Sequence, residues 1–180
     1  TGYTKHIEGT TIQNTHTPEV INIPVSKVWE DKDDQDGKRP TEVTITLKGN
    51  NKFIQTIELN NKNEWTHTFK NLPKKAGGKD IEYTVEEDNI ENGYKSNITK
   101  KAESGYEYDI TNSYTPEKVS INVTKEWDDN NNQDGIRPDK ITVKLLANGN
   151  LVDSKTVNSK DNWTYKFTNL PKYTKYHENE

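Results

Sequence analysis

The chain has 180 residues, with 25 Lys+Arg against 29 Asp+Glu, a formal net charge of -4, and neither Cys nor Met. Without cysteine a disulfide framework, a thiolate metal site, a zinc finger and a thiol nucleophile are all excluded. The weakly acidic balance offers no basic stripe to a phosphate backbone, and there is no apolar run long enough to cross a bilayer, so neither nucleic-acid binding nor membrane insertion is expected.

Only 28% of residues are hydrophobic and the mean hydropathy is -1.17, values close to those of disordered chains, so patterning has to decide whether the chain folds. No leader pattern opens the sequence and no sorting tail closes it, and targeting segments are expected to be absent or to lie outside it. An internal repeat organises the chain. VSKVWEDKDDQDGKRPTEVTITL (25–47) aligns without a gap on VTKEWDDNNNQDGIRPDKITVKL (123–145), an offset of 98 residues (123 against 25).

The offset carries Trp65 onto Trp163, Phe69 onto Phe167 and Asn71-Leu72-Pro73 onto Asn169-Leu170-Pro171. Upstream it carries Ile12, Asn14 and Thr17-Pro18-Glu19 onto Ile110, Asn112 and Thr115-Pro116-Glu117. On this ruler residues 1–19 are the C-terminal strand of a preceding module, 20–117 a complete module and 118–180 the N-terminal part of a following one. The junctions at Pro18 and Pro116 are short and stiffened by proline, which predicts a rod of modules with adjacent copies as partners.

Along the complete copy, Ile21, Ile23, Val25, Lys27 and Trp29 fall on one strand face. Alternation then recurs at Val43, Ile45, Leu47; Phe53, Ile57, Leu59; Trp65, His67, Phe69; Ile81, Tyr83, Val85; and Tyr106, Tyr108, Ile110. Turn residues separate these runs at Asp36-Gly37, Gly49-Asn50, Leu72-Pro73, Gly77-Gly78 and Asn92-Gly93. No stretch has a helical period. Six or seven short strands with turn signals between them predict an all-β fold, an antiparallel β-sandwich of two thin sheets.

The same two-residue count puts three polar groups on apolar faces: Lys27, Glu87 beyond Val85, and Asn112 beyond Ile110. Burial disfavours the charged forms of an amine and a carboxyl. A neutral Lys27 amine is a nucleophile, and a protonated Glu87 can polarise the Asn112 side-chain carbonyl, giving acyl transfer with loss of ammonia and a Lys–Asn isopeptide bond. Such a bond would serve a cysteine-free fold as a disulfide serves others. Parity alone leaves other readings open: a strand-end lysine that snorkels, a Glu87 exposed after a register bulge, and an Asn112 that caps a turn.

VSKVWEDKDDQDGKRP, WTHTFKNLP, IEYTVEED followed by GY, and ITNSYTP, in order and at domain spacing, resemble the repeat of the B-type domains of the collagen-binding adhesin family of Gram-positive surface proteins. The resemblance covers essentially the whole chain. It implies a prealbumin-like, or inverse immunoglobulin, β-sandwich in tandem modules. It also implies that Lys27 of VSKVW bonds Asn112 of ITNSY with Glu87 of YTVEE as the acid, and with Glu86 as the rival for that role. Glu87 is preferred because its parity matches Tyr83 and Val85 and because the family's acid lies four residues after the tyrosine of this motif. In such proteins B-type repeats form a cell-wall-anchored, extracellular stalk that displays a separate ligand-binding region, so any host-matrix ligand is expected to bind elsewhere.

At its two ends the sequence departs from this pattern. Lys125 matches the bonding lysine, but the sequence stops before the counterparts of Glu87 and Asn112. Asn14 matches the bonding asparagine without an upstream lysine or acid. A swapped Lys125–Asn14 bond has no obvious acid.

The acidic loop Glu30–Gly37, echoed by 128–135, superficially resembles a calcium loop. Counting back from Asp36-Gly37 as positions five and six puts Lys32 at position one and Val43 at position twelve, so a solvated turn with Arg39 and Arg137 pairing nearby carboxylates is expected, and no metal. Trp29, Trp65, Trp127 and Trp163 could form a sugar-stacking platform, the basis of a competing reading as a host-protein or carbohydrate-binding module, but their parity assigns them to the core. The histidines His6, His16, His67 and His177 are scattered and make no ligand pair or triad. No cofactor is expected, and no enzyme beyond a single self-directed turnover.

Overall fold

The computed structural model describes residues 2–103 and 105–173; His177 and the rest of 174–180 lie outside the described residues. Two compact units divide the chain, the first running through Thr115 and the second beginning at Pro116. The described residues contain strands, turns and two single 3-10 turns, at Asn61–Asn63 and Ser159–Asp161, and no helix long and apolar enough to cross a membrane.

The first unit opens with β1 (Thr4–Glu8) and β2 (Thr11–Thr15), an antiparallel hairpin. It continues with β3 (Val20–Glu30), β4 (Glu42–Gly49), β5 (Lys52–Asn60), β6 (Thr66–Pro73), the two-residue β7 (Lys75–Ala76) and β8 (Lys79–Asp80), β9 (Tyr83–Asp88), β10 (Lys95–Lys100) and β11 (Tyr108–Ser113). One sheet has the order β10-β11-β3-β6 and the other β5-β4-β9. Between them lies the core: Ile23, Val25, Ile45, Leu47, Leu59, Phe69, Tyr83, Val85, Tyr108 and Ile110, with Trp29 and Trp65 packed on it. These are the inward positions of the alternating runs, so the hydrophobic period of two builds both layers.

The pairing departs from the expected antiparallel scheme at one place. β11 pairs β3 in parallel, Tyr108 opposite Val25, Ile110 opposite Lys27 and Asn112 opposite Trp29. A parallel neighbour needs a long connection, and here nearly the whole module supplies it. A second departure is Phe53, which is 66% exposed although it was expected on the inward face. Leu47 pairs Gln55 while Lys48 pairs Phe53, so Ile54 is the extra residue of a bulge that reverses parity at the start of β5.

Residues 1–19 supply two strands where one was expected. Ile7 pairs Ile12 as Ile98 pairs Ile110, and the Tyr3 and His16 rings sit 5.3 Å apart as Tyr94 and Tyr114 sit 5.4 Å apart. The segment therefore repeats the β10–β11 hairpin with a shorter connection, which shifts the offset upstream of the turn and hid Gly2-Tyr3 as the match to Gly93-Tyr94.

The second unit contains β12 (Lys118–Thr124), β13 (Lys140–Ala147), β14 (Asn150–Asn158) and β15 (Thr164–Pro171). β12 pairs β15 with Ile121 opposite Phe167, and β13 pairs β14, reproducing β3–β6 and β4–β5 down to their bulges. Among the described residues it has no counterpart of β9, β10 or β11.

Candidate functional site

The loop after β3 fixes the first half of the site. Lys32, Asp33 and Asp34 all have positive φ (55, 63 and 54°), a run that Asp tolerates better than most residues and that needs outside support. The support comes from carboxylates. Asp31 Oδ1 accepts from the Asp34 N–H at 3.0 Å, and Asp34 Oδ1 accepts from the Lys38 and Arg39 N–H groups at 2.7 and 2.8 Å. Asp31 and Asp34 thus brace the loop's own backbone, and no group of His, Asp or Glu among the described residues is arranged to hold a metal.

Asp31 is buried and takes a two-pronged bond from Arg39, Nε to Oδ2 at 3.0 Å and Nη2 to Oδ1 at 2.7 Å, while Tyr94 Oη donates to Oδ2 at 2.8 Å. Burial raises its pKa, but the bonds from Arg39, the Asp34 N–H and Tyr94 outweigh that and hold it down at about 2. The Arg39 guanidinium lies 5.4 Å from the Trp29 ring, which packs edge-on to Trp65 and Tyr94, each at 5.1 Å. The loop, Tyr94 and Trp65 together hold Trp29 beside Lys27.

The Lys27 side chain is fully buried (0% exposed), with Nζ 4.2 Å from the Trp29 ring centroid. Nζ donates to the carbonyls of Ile110 (3.3 Å) and Val28 (3.4 Å) and lies 3.7 Å from Glu87 Oε1. Burial pushes its pKa down from 10.5 to about 8, against the attraction of Glu87 and Asp31. The Glu87 side chain is 1% exposed. It reaches from β9 in the facing sheet, and its Oε1 accepts from Asn112 Nδ2 at 2.7 Å. Asn112 is buried on β11, one inward position beyond Ile110, the direct partner of Lys27, and its Oδ1 has no hydrogen-bond partner.

Lys27, Glu87 and Asn112 are thus brought together inside one module, from two adjacent strands of one sheet and one strand of the other. None of the open alternatives fits this placement: Lys27 does not snorkel, Glu87 is not turned out, and Asn112 lies within a strand. Glu86 points the other way, with a 52% exposed side chain whose Oε2 meets Lys48 Nζ at 2.5 Å. A cavity of about 190 Å³ between the start of β4 and the end of β9 with the turn after it, lined among others by Val43, Ile90, Tyr94, Glu87 and Asn112, reaches the acid and the amide.

The remaining candidates lack this company. Lys125 is half-buried and sits 4.3 Å from Trp127, with Arg137 5.3 Å from the same ring and bonded through two nitrogens to Asp129. Its N–H bonds Trp163 O at 2.9 Å as that of Lys27 bonds Trp65 O at 2.8 Å, so the lysine half of the site recurs without its acid or amide. Asn14 is exposed on β2 opposite Lys5. His67 is half-buried against Phe69, with a pKa lowered by burial.

Sequence reasoning missed Ser96, whose Oγ donates to Glu87 Oε2 at 2.5 Å, and the burial of Asp31. The recurrence of Asp and Arg at the same spacing in both copies was a usable signal for Asp31. Nothing marked Ser96, because β10 has no alternating pattern.

The Cna protein B-type domain family matches residues 23–113 and 121–180. Over 172 residues the chain is 46% identical to a collagen adhesin of Staphylococcus aureus, covering 95% of this chain and 14% of that protein. The crystal structure of two B repeat units (B1B2) of the collagen binding protein Cna of Staphylococcus aureus superposes with a TM-score of 0.80 at 45% identity, covering 96% of this chain and 46% of that one. With two family matches spread over most of its length, an all-β fold and a tandem repeat, the chain belongs to the Cna protein B-type domain family.

Proposed function

We propose that these modules are stalk repeats of a wall-anchored adhesin on the surface of a Gram-positive bacterium, projecting a separate ligand-binding region and braced by an autocatalytic Lys27–Asn112 isopeptide bond. The observation that carries the bond is the buried triad, with Glu87 Oε1 2.7 Å from Asn112 Nδ2 and 3.7 Å from Lys27 Nζ. A proton passing from Lys27 to Glu87 leaves a neutral amine and a carboxylic acid 3.7 Å apart in a buried site.

Nζ then attacks Asn112 Cγ while Glu87 protonates the amide, first at its oxygen and then, as the intermediate collapses, at the departing nitrogen. The Nζ–Cγ bond forms and Nζ sheds a proton to Glu87 for delivery to Nδ2; the Cγ–Nδ2 bond breaks, the oxygen-bound proton returns to Glu87 as the carbonyl re-forms, and one ammonia leaves through the cavity beside Glu87 and Asn112. No cofactor enters and no external substrate is consumed. The stalk role rests on kinship with B repeats of an adhesin and on the repeat itself.

Intact mass of the denatured protein tests the bond. The parent is expected to weigh one ammonia less than its sequence, and Lys27→Ala and Glu87→Ala to match their own calculated masses. An unmodified parent would remove the crosslink and leave Lys27 an ordinary buried strand residue.

A further inference from the structure

We infer that Ser96 is a positioning residue for the Lys27–Asn112 reaction, holding the far oxygen of Glu87 so that the near oxygen alone exchanges protons with the reacting groups. The inference rests on the crosslinking reading above and adds to it a residue on a strand that takes no other part in the site.

Ser96 lies on β10 directly opposite Asn112 in the antiparallel β10–β11 ladder, so the two side chains share the face turned toward β9. Glu87 reaches across from the other sheet and divides its oxygens between them. Oε1 meets Asn112 Nδ2 at 2.7 Å and lies 3.7 Å from Lys27 Nζ, while Oε2 takes the Ser96 hydroxyl at 2.5 Å. A carboxyl at the end of a glutamate turns freely about its last torsion, and its proton can sit on either oxygen.

The serine hydroxyl removes both freedoms. By donating to Oε2 it keeps that oxygen an acceptor, so the proton that Lys27 gives up resides on Oε1, the oxygen facing the amide. It also pins the carboxyl plane at Oε2, the oxygen other than the one nearest Lys27. An acid displaced by a fraction of an ångström, or protonated on the wrong oxygen, still fills the same space and leaves the fold intact while slowing acyl transfer.

The test follows loss of ammonia by intact mass in the full chain, sampled from synthesis onward, for the parent, Ser96→Ala, Ser96→Thr and Ser96→Cys. Ser96→Ala is expected to slow the reaction between about ten- and a hundredfold. Ser96→Thr restores it to near the parental rate, and Ser96→Cys, with a weaker donor of similar size, falls between.

A purely structural role is read in an Asn112→Ala background, where no bond can form: there Ser96→Ala should leave the thermal midpoint within a few degrees of its reference. Parental crosslinking in Ser96→Ala, or a collapse of the midpoint in that background, overturns the inference while the crosslink stands. Should Ser96→Ala fail to fold, Ser96→Cys decides, since a folded thiol variant that reacts at the parental rate is equally fatal. A parent that never loses ammonia refutes the crosslink itself, an outcome distinct from any result on Ser96.

Discussion

The lysine halves of the two modules are built alike, and among the described residues only one of them is closed. Lys27 and Lys125 stand 4.2 and 4.3 Å from their tryptophan rings, and Arg39 and Arg137 stand 5.4 and 5.3 Å from the same rings. Yet Lys27 is buried with a lowered pKa while Lys125 is half-exposed, and Ile45 and Leu47 are buried where Val143 and Leu145 are half-exposed. The lysine, tryptophan and arginine arrangement is therefore a local product of β3, β6 and the loop after β3. Desolvation of the amine is a product of β9, β10 and β11, which bring the opposite wall, Tyr94 and the acid. Position comes from one half of the module and desolvation from the other.

The largest effect that would break this contrast is loss of the proposed covalent link. Asn112→Ala leaves the chain between Lys27 and Asn112 unclosed, and the chain-entropy relation for a loop of that length gives about 4 to 5 kcal/mol. The first unit should melt roughly 20 °C lower by calorimetry, while the transition of the second unit stays in place. Equal shifts in both would show that the two units do not unfold separately.

Next in size is the carboxylate under each tryptophan. Asp31→Ala strands the Arg39 guanidinium and the Tyr94 hydroxyl in a half-buried site and should cost about 3 kcal/mol in denaturant unfolding. Asp129→Ala, which removes a more exposed partner with no tyrosine above it among the described residues, should cost far less. A larger loss at Asp129 would make the loop, and not the closure by Tyr94, the source of the difference.

The pH dependence of Lys27 sharpens the same point. Its pKa is 10.5 in the open chain and about 8 when buried, so below pH 8 both states hold the proton and the fold bears the full cost of an enclosed cation. Between pH 8 and 10.5 the unfolded chain binds a proton that the folded chain does not, and stability rises with pH. In Asn112→Ala, which keeps Lys27 and Glu87 unbonded, urea unfolding should show a gain of up to about 3 kcal/mol across this window. Adding Lys27→Met should abolish the gain, with the tyrosines titrating alike in both proteins.

The smallest expected effect separates the two neighbouring acids. Glu86→Gln loses only a surface pair with Lys48 and should change stability by less than about 0.5 kcal/mol and leave the ammonia loss complete. Glu87→Gln should stop the loss.

Much of this was legible in the sequence. A period of two located β3, β4, β6, β9 and β11, and counting from Tyr83 placed Glu87 rather than Glu86 inside, because a strand without a bulge keeps its parity. β5 escaped at Phe53, where a bulge, invisible in composition, reversed the faces. β10 escaped altogether, since KSNITK offers one inward aliphatic, Ile98, on a sheet-edge strand. With it went Ser96, a small polar residue whose role depends on a partner across the sandwich. The loop carboxylates were visible as charges, but their commitment to backbone N–H groups follows from the run of positive φ at 32–34, which no count of residues displays.

The parallel pairing of β3 with β11 bears on how far a module can lengthen. Lys27 and Asn112 both lie near the C-terminal ends of their strands, so a pull on the two ends of the module enters at Val20 and leaves at Ser113. With the proposed bond in place, only the few residues before Lys27 and after Asn112 lie on the stretched path. The roughly 84 residues between them, a hidden contour of about 280 Å at ~3.4 Å per residue, stay slack even if the sandwich melts. A stalk of such modules would keep its reach nearly constant under load, behaving as an inextensible tether instead of a spring of unfolding domains.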